Sequence, residues 1–426
     1  MTHRGMAMRK YDIAIIGAGP AGAVAAKFLL DAGLSVIVLE AAHFPRFVIG
    51  ESLLPFCMNV LDKCGLTETI AAQAETQAFQ FKNGAAFARG EQHCSIDFHD
   101  RFEDDGWSTT FQVKRDAFDQ TLIDTVIKAG VPVKFGHRII AADLAEGDCH
   151  LTWQDDNDQT GTIQAGFVVD ASGYGRVIPK LRGNPNTASL MPRRALFTHM
   201  RDRITAPEYD RTKILITVHP DRHDVWYWLI PFADGTASVG VVYPLADPSA
   251  PTDAPDSRTQ ENDDALFARL LDETALGTLL KNAEQTHPLA AIASYSNGND
   301  HLYGDGYVLL GNSAGFLDPV FSSGVTIALY SAELAAKALI ARHNGDATDW
   351  ENDFAKPLNA GIATFKSYVE AWYDGRLQQI IFNQPDRDLQ LKRMVVSILA
   401  GYAWNMENPL VAKTDRYLNL LHELSL

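Results

Sequence analysis

Residues 11–16, YDIAII, form an apolar run of the length of a buried parallel strand, and they lead directly into GAGPAG. Apolar and small residues then recur at helical spacing over 20–32. SVIVL at 35–39 predicts a second buried strand, which ends on Glu40. FVVD at 167–170 predicts another strand, running into the glycine turn that closes at Arg176. Residues 306–339 read as a strand, a loop and a long helix. The runs RRALFTHM, KILITVH, VWYWLIPF and ASVGVVY, between 193 and 243, alternate as strands of a mostly antiparallel sheet, and AFQFKNGAAF at 78–87 alternates like one more strand. The stretch 246–264, rich in Pro, Asp, Ser and Thr, predicts a surface excursion, followed by a helix over about 264–282. From about 348 the pattern is helical to the end. Phe365, Tyr368, Trp372, Tyr373 and Trp404 fall on helix faces that suit core packing or a cover over a substrate mouth.

Length and charge narrow the picture. The 426 residues suggest two or three structural units, enough to bury a core without covalent staples. A formal charge of −16 argues against a broad nucleic-acid-binding surface, which needs clustered cations. The four cysteines, at 57, 64, 94 and 149, form no C-x-x-C pair, and Cys57 and Cys64 read as core positions on a helix. This fits a reduced, cytoplasmic setting. The N-terminus lacks the apolar stretch of a signal peptide, and no apolar run reads as a membrane span.

The first segment carries dinucleotide chemistry. Gly17, Gly19 and Gly22 form G-x-G-x-x-G between a strand and a helix. Gly17 permits the tight turn, Gly19 lets the backbone approach a pyrophosphate, and Gly22 brings helix and strand together. The helix start, with Ala21, offers N–H groups and a positive dipole end to phosphate. Glu40 suits ribose hydroxyls and would repel a 2′-phosphate, which favours FAD or NAD over NADP.

Later motifs choose FAD. FVVDASGYGR, with Asp170, Gly173 and Arg176, and GYVLLGNSAGFLDP resemble the second and third fingerprints of the FAD aromatic hydroxylase superfamily. RDAFDQTL resembles the segment in which an arginine, here Arg115, approaches FAD. The usual Gly-Asp pair of the third fingerprint is Gly311-Asn312, and an Asn amide can still bond a ribityl hydroxyl. FPRFVIGESLLP, with Arg46 and Ser52, the W-x-W-x-I-P of Trp226, Trp228, Ile230 and Pro231, and FLDPVFSSG, with Ser323 and Gly324, together resemble flavin-dependent halogenases and their relatives. The resemblance implies an α/β fold: a Rossmann-like FAD-binding domain of GR2 type, an interleaved antiparallel β-sheet substrate domain and a C-terminal helical region. The FAD-binding domain is expected over 1–76, 114–186 and 285–345, the substrate domain over 77–113 and 187–284, and the helical region over 346–426.

The resemblance also implies reduced FAD that captures O2 as a C4a-hydroperoxide, with Lys82 as the lysine that guides the oxidant toward an electron-rich phenol or indole. An ordinary strand lysine in solvent is the plainer reading of Lys82. Trp226 and Trp228 would wall substrate from flavin, or simply pack in the sheet. Ser322–Gly324 could form an anion nest for the flavin edge or for halide. His199 reads as a core histidine, or as a base toward the substrate. His219 and His223 lie in a turn-like HPDRH, and no metal is assigned.

A free-tryptophan halogenase is disfavoured: its lysine and glutamate positions carry Ala86 and Phe321. Three alternatives stand beside halogenation or hydroxylation of a free or carrier-bound aromatic. One is hydroxylation of a tryptophan side chain of a partner protein in quinone-cofactor biogenesis. Another is geranylgeranyl-reductase-like chemistry, and the third is flavin binding without turnover. No second nicotinamide domain is evident, so reducing equivalents would come from NAD(P)H or from a partner flavin reductase.

Overall fold

A computed structural model describes residues 10–188, 190–245, 262–383 and 389–425. Its first sheet is built on the three buried runs. Strand Lys10–Ile16 pairs in parallel with Val36–Leu39 on one side and with Thr160–Asp170 on the other. Thr160–Asp170 in turn pairs in parallel with Tyr307–Leu309. Val133–Lys134 extends one side of the sheet, and the antiparallel strands Cys149–Gln154 and Arg138–Asp143 extend the edge of Thr160–Asp170 away from Lys10–Ile16. The register places Ile16 beside both Leu39 and Asp170, and Asp170 beside Leu309. The carboxyl ends of all four strands therefore open at one edge, which is where parallel α/β sheets bind ligands. Helices Pro20–Asp31 and Ser323–His343 pack together over this sheet. Ser323–His343 is long and apolar enough to cross a membrane by length and composition, but it is mostly buried and serves as a core helix.

The second sheet has the order Glu284–Gln285, Arg193–Arg201, Thr236–Pro244, Trp226–Pro231, Lys213–Val218, Gly84–Arg89, Gln92–Asp97. It is antiparallel except where Lys213–Val218 meets Gly84–Arg89. Its central strands are buried on both faces, and alternation decides what each face meets. Trp226, Trp228 and Ile230 face the main core, whereas Tyr227 and Leu229 join Leu266, Phe267 and Leu270 in a second cluster.

Two expected elements divide. AFQFKNGAAF is two strands, Gln80–Lys82 and Gly84–Arg89, in different sheets. Gly84 lets the chain switch, because a side chain there would collide with the Ile96 carbonyl. The helix expected over 264–282 is Asp263–Asp272 followed by Ala275–Leu279, with the Thr274 hydroxyl capping the second piece at Leu276 N. The surface excursion expected at 246–264 falls mostly outside the described residues.

The C-terminal part is helical, beginning with one π-turn at Glu351–Ala355 and continuing through Lys356–Tyr373 to Thr414–Leu424. Phe365, Tyr368 and Trp372 are buried in the main core. Cys57 and Cys64 are buried, one on helix Pro55–Lys63 and one at its end.

Candidate functional site

A cavity of about 690 Å³ opens at the shared carboxyl edge of the first sheet and reaches the tryptophan face of the second. The glycine turn forms its floor. Gly17 has φ +102°, and a Cβ there would stand 2.5 Å from the Ala171 carbonyl oxygen. Only glycine fits this position. Gly19 and Ala21 line the cavity at the start of helix Pro20–Asp31. Gly22 lies behind them, where a side chain would strike the Gly17 carbonyl. Glu40 lines the wall and braces the turn, its Oε2 accepting from Ala18 N and its Oε1 from Ala42 N, both at 2.8 Å. A carboxylate has further lone pairs, so the same group can still receive ribose hydroxyls.

Arg115 and Arg46 line the same space. Arg115 is held in a fork by Asp119, with Nε and Nη2 donating at 2.8 and 3.1 Å, and its Nη1 donates to Ile49 O at 3.1 Å. Burial alone would lower the Arg115 pKa, but the Asp119 charge outweighs it and the guanidinium stays firmly protonated. Arg46 Nη1 lies 3.5 Å from the same Asp119, and its guanidinium borders Gly19. Gly311, with φ +52°, and Asn312 close the far side with Gly324 and with Ser322, the residue before the long core helix. Ser323 is buried behind this wall. Asp170 also stands behind the wall, fully buried, with Oδ1 on Ser172 N at 2.9 Å and Oδ2 on Ile178 N at 2.7 Å. Its contribution is to shape the 171–178 loop.

Trp226 and Trp228 line the cavity from one strand face, ring centroids 5.8 Å apart. Trp228 Nε1 donates to Ser238 Oγ at 3.1 Å. Gly240 stands opposite Trp228 in register, and any side chain there would collide with the indole. Lys82 is 1% exposed and sits behind Ser52, which lines the cavity. Its Nζ donates to Ser52 Oγ and to Leu53 O, both at 2.7 Å. Burial pulls its pKa down from 10.5 to about 7. Lys82 is thus not a solvent-facing strand lysine.

Residues not singled out in the sequence also shape the site. Glu51 lines the cavity, and its Oε1 is 2.7 Å from His199 Nε2, with both side chains buried. His199 therefore meets the cavity only through Glu51. Their separation of 148 residues hides the pair from any local pattern. Asp119 was likewise silent, although its spacing of four from Arg115 on one helix is a readable sign. His219 pairs with Glu273 at 3.0 Å, and no cluster suited to a metal occurs among the described residues.

A glycine cradle, a helix N-terminus, two arginines and a paired carboxylate fit the pyrophosphate and ribose of a dinucleotide. An apolar region bounded by tryptophans fits a flat ring system. The comparisons agree. The family model described as FAD binding domain matches residues 10–357, well over half of the chain. The 1H-pyrrole-2-carbonyl-[peptidyl-carrier protein] chlorinase of Pseudomonas fluorescens is 28% identical over 93% of this chain and 90% of its own. The tryptophan 2-halogenase of Chondromyces crocatus is 32% identical over 77% of this chain, which spans 60% of that longer protein. The crystal structure of a flavoprotein/dehydrogenase from Cytophaga hutchinsonii is 38% identical, covers 98% of this chain and 99% of its own, and superposes with a TM-score of 0.88. The chain belongs to the FAD-binding domain family, as an FAD-dependent oxidoreductase on the halogenase-like branch of the aromatic hydroxylase superfamily.

Proposed function

We propose that this protein uses reduced FAD and O2 to halogenate an electron-rich aromatic ring, a phenol, indole or pyrrole. The observation that carries this reading is Lys82: an amine buried immediately behind the cavity wall, with its nitrogen fixed 2.7 Å from the Ser52 hydroxyl. Two of the three relatives named above are halogenases of aromatic groups, a carrier-bound pyrrole in one and tryptophan in the other. They do not favour protein-tryptophan hydroxylation or geranylgeranyl reduction.

Bound FAD, once reduced, supplies the two electrons that activate O2. This chain's residues do the rest. Gly17, Gly19, Arg46, Arg115 and the first helix hold the pyrophosphate, and Glu40 holds the ribose. Gly311, Asn312 and the Ser322–Gly324 turn hold the flavin edge, where backbone N–H groups can also receive an anion such as halide. Lys82 donates to Ser52 Oγ, which leaves the Ser52 hydroxyl proton able to point into the cavity. That arrangement stabilises a developing negative oxygen in a dry space. Trp226 and Trp228 exclude water and keep a substrate ring off the flavin.

The substrate ring in this reading is free or carrier-bound, and the electrons come from NAD(P)H or from a partner flavin reductase. A reducing, cytoplasmic setting is part of the same proposal, supported by four cysteines whose spacing forms no C-x-x-C pair. The sequence segments 1–76, 114–186 and 285–345 are read as the FAD-binding domain on the same grounds.

The test is anaerobic reduction of the FAD-loaded protein, then O2 with chloride or bromide and a panel of free and carrier-bound phenols, indoles and pyrroles. Halide-dependent incorporation into one class is expected. Hydroxylated product alone, or only H2O2 across the panel, would contradict it.

A further inference from the structure

The wall that carries Trp226 is held from beyond residue 357, where the match to the FAD-binding family ends. Tyr373 is the last residue of helix Lys356–Tyr373. Trp226 Nε1 donates to the Tyr373 hydroxyl oxygen at 2.9 Å. An indole nitrogen can only donate, so the single tyrosine proton is directed elsewhere. It goes to Asp318 Oδ2, at 2.9 Å. The Tyr295 hydroxyl donates to the same oxygen at 3.1 Å, and Val320 N donates to Oδ1 at 3.0 Å. The Arg193 Cζ lies over the Tyr373 ring, 3.3 Å from its centroid, and its Nη1 donates to Asp224 O at 2.8 Å.

Five separate segments therefore meet through the Tyr373–Asp318 pair. They are the strand of Arg193, the strand of Trp226, the segment of Tyr295, the 316–324 loop and the C-terminal helix. Two of them, the Trp226 strand and the 316–324 loop, are walls of the flavin cavity. Burial pushes the Asp318 pKa up, while the two tyrosines, Val320 N–H and the Arg193 charge favour the ionised form. An apolar arrangement of similar volume would be about as stable. What a fully paired polar network adds is a single permitted geometry.

We infer that Tyr373 is a positioning residue for the flavin cavity. Its hydroxyl fixes the Trp226 indole, Asp318 anchors that hydroxyl, and the C-terminal helical region thereby sets the tryptophan wall that a substrate ring meets. The substrate part of this inference rests on the function proposed above. The positioning part does not.

The test compares Tyr373→Phe, Trp226→Phe and the double variant in the full chain. Without FAD, ultraviolet resonance Raman bands that report indole N–H hydrogen bonding are recorded. With reduced FAD, O2, bromide and an aromatic substrate, the share of electron pairs recovered in organic product is measured against the share lost as H2O2 (O2 + 2e⁻ + 2H⁺). Tyr373→Phe is expected to remove the hydrogen-bonded signature of one indole, the same one missing in Trp226→Phe. It is also expected to lower the product share about fivefold, the scale of one buried hydrogen bond. In the Trp226→Phe background it should add nothing, because it acts through that indole. An unchanged Raman signature, or an equal drop in both backgrounds, overturns the inference. If the wild-type protein yields no organic product, the proposed function fails, while the FAD-free spectra still decide the role of Tyr373. Should Tyr373→Phe not fold, Asp318→Asn is read in the same way, with a shifted Trp226 signature expected and an unshifted one contradicting the anchor.

Discussion

Lys82 and Ser52 meet across the cavity wall, Nζ to Oγ at 2.7 Å, so that a buried amine reaches the reaction space only through a hydroxyl. Lys82→Met keeps the length of the side chain and removes the donor. FAD affinity should change little, because Lys82 does not line the cavity. Product formation should fall by about 100-fold or more, the scale of losing one preorganised donor to developing charge. Ser52→Ala should show a smaller loss in the same direction. Flavin titration and single-turnover product assays check both.

The same lysine makes stability depend on pH. Burial lowers its folded pKa from 10.5 to about 7. Between those values the unfolded chain carries a proton that the folded chain has released, so stability rises with pH across this window and the group disfavours folding most below about 7. Lys82→Met lacks this dependence. Urea unfolding of both proteins at several pH values should show the wild type gaining on the variant from about pH 7 upward, by an amount on the order of several kcal/mol. A constant difference would contradict the buried, neutralising environment.

Much of the cavity floor was legible because its signals are local. Gly17 to Glu40 lie within one strand, turn, helix and strand, and the spacing of the glycines follows from steric contacts that any dinucleotide turn must make. The tryptophan face was legible from period-two alternation. The pairs that join distant segments were not. Glu51 and His199 are 148 residues apart, and Tyr373 and Asp318 are 55 apart. Their meeting depends on how two sheets and a helical region pack, which no window of sequence records. Lys82 was ambiguous for a related reason. Its burial depends on the chain changing sheets at Gly84, a close backbone approach that an alternating pattern does not reveal.

Gly240 tests the geometry of the tryptophan wall. A methyl group at this position would strike the Trp228 indole, which lies across it in register. Gly240→Ala should tilt Trp228 into the cavity and weaken FAD binding by about tenfold, the scale of an overpacked contact of roughly 1–3 kcal/mol. Isothermal titration with FAD gives the value, and unchanged affinity would show that Trp228 is not held against the cofactor space.

Glu51 and His199 test whether a buried pair supports the cavity. His199→Phe removes the ring nitrogen 2.7 Å from Glu51 Oε1 and leaves a buried carboxyl without that partner. A loss of about 1–3 kcal/mol is expected. His199→Gln, which retains a donor, should recover part of it. Chemical denaturation of the three proteins measures the ordering, and equal stability of the two variants would contradict the pairing.

The most direct measurement is mass spectrometry of the product from FAD-loaded wild-type and Lys82→Met proteins, each reduced anaerobically and exposed to O2, bromide and the preferred aromatic. Bromine has a two-isotope signature that identifies the added atom. The wild type should give a brominated ring and the variant almost none at equal FAD loading. Bromination that persists undiminished in Lys82→Met, or a wild-type product carrying oxygen in place of bromine, would contradict the assignment of this buried lysine to halogen transfer.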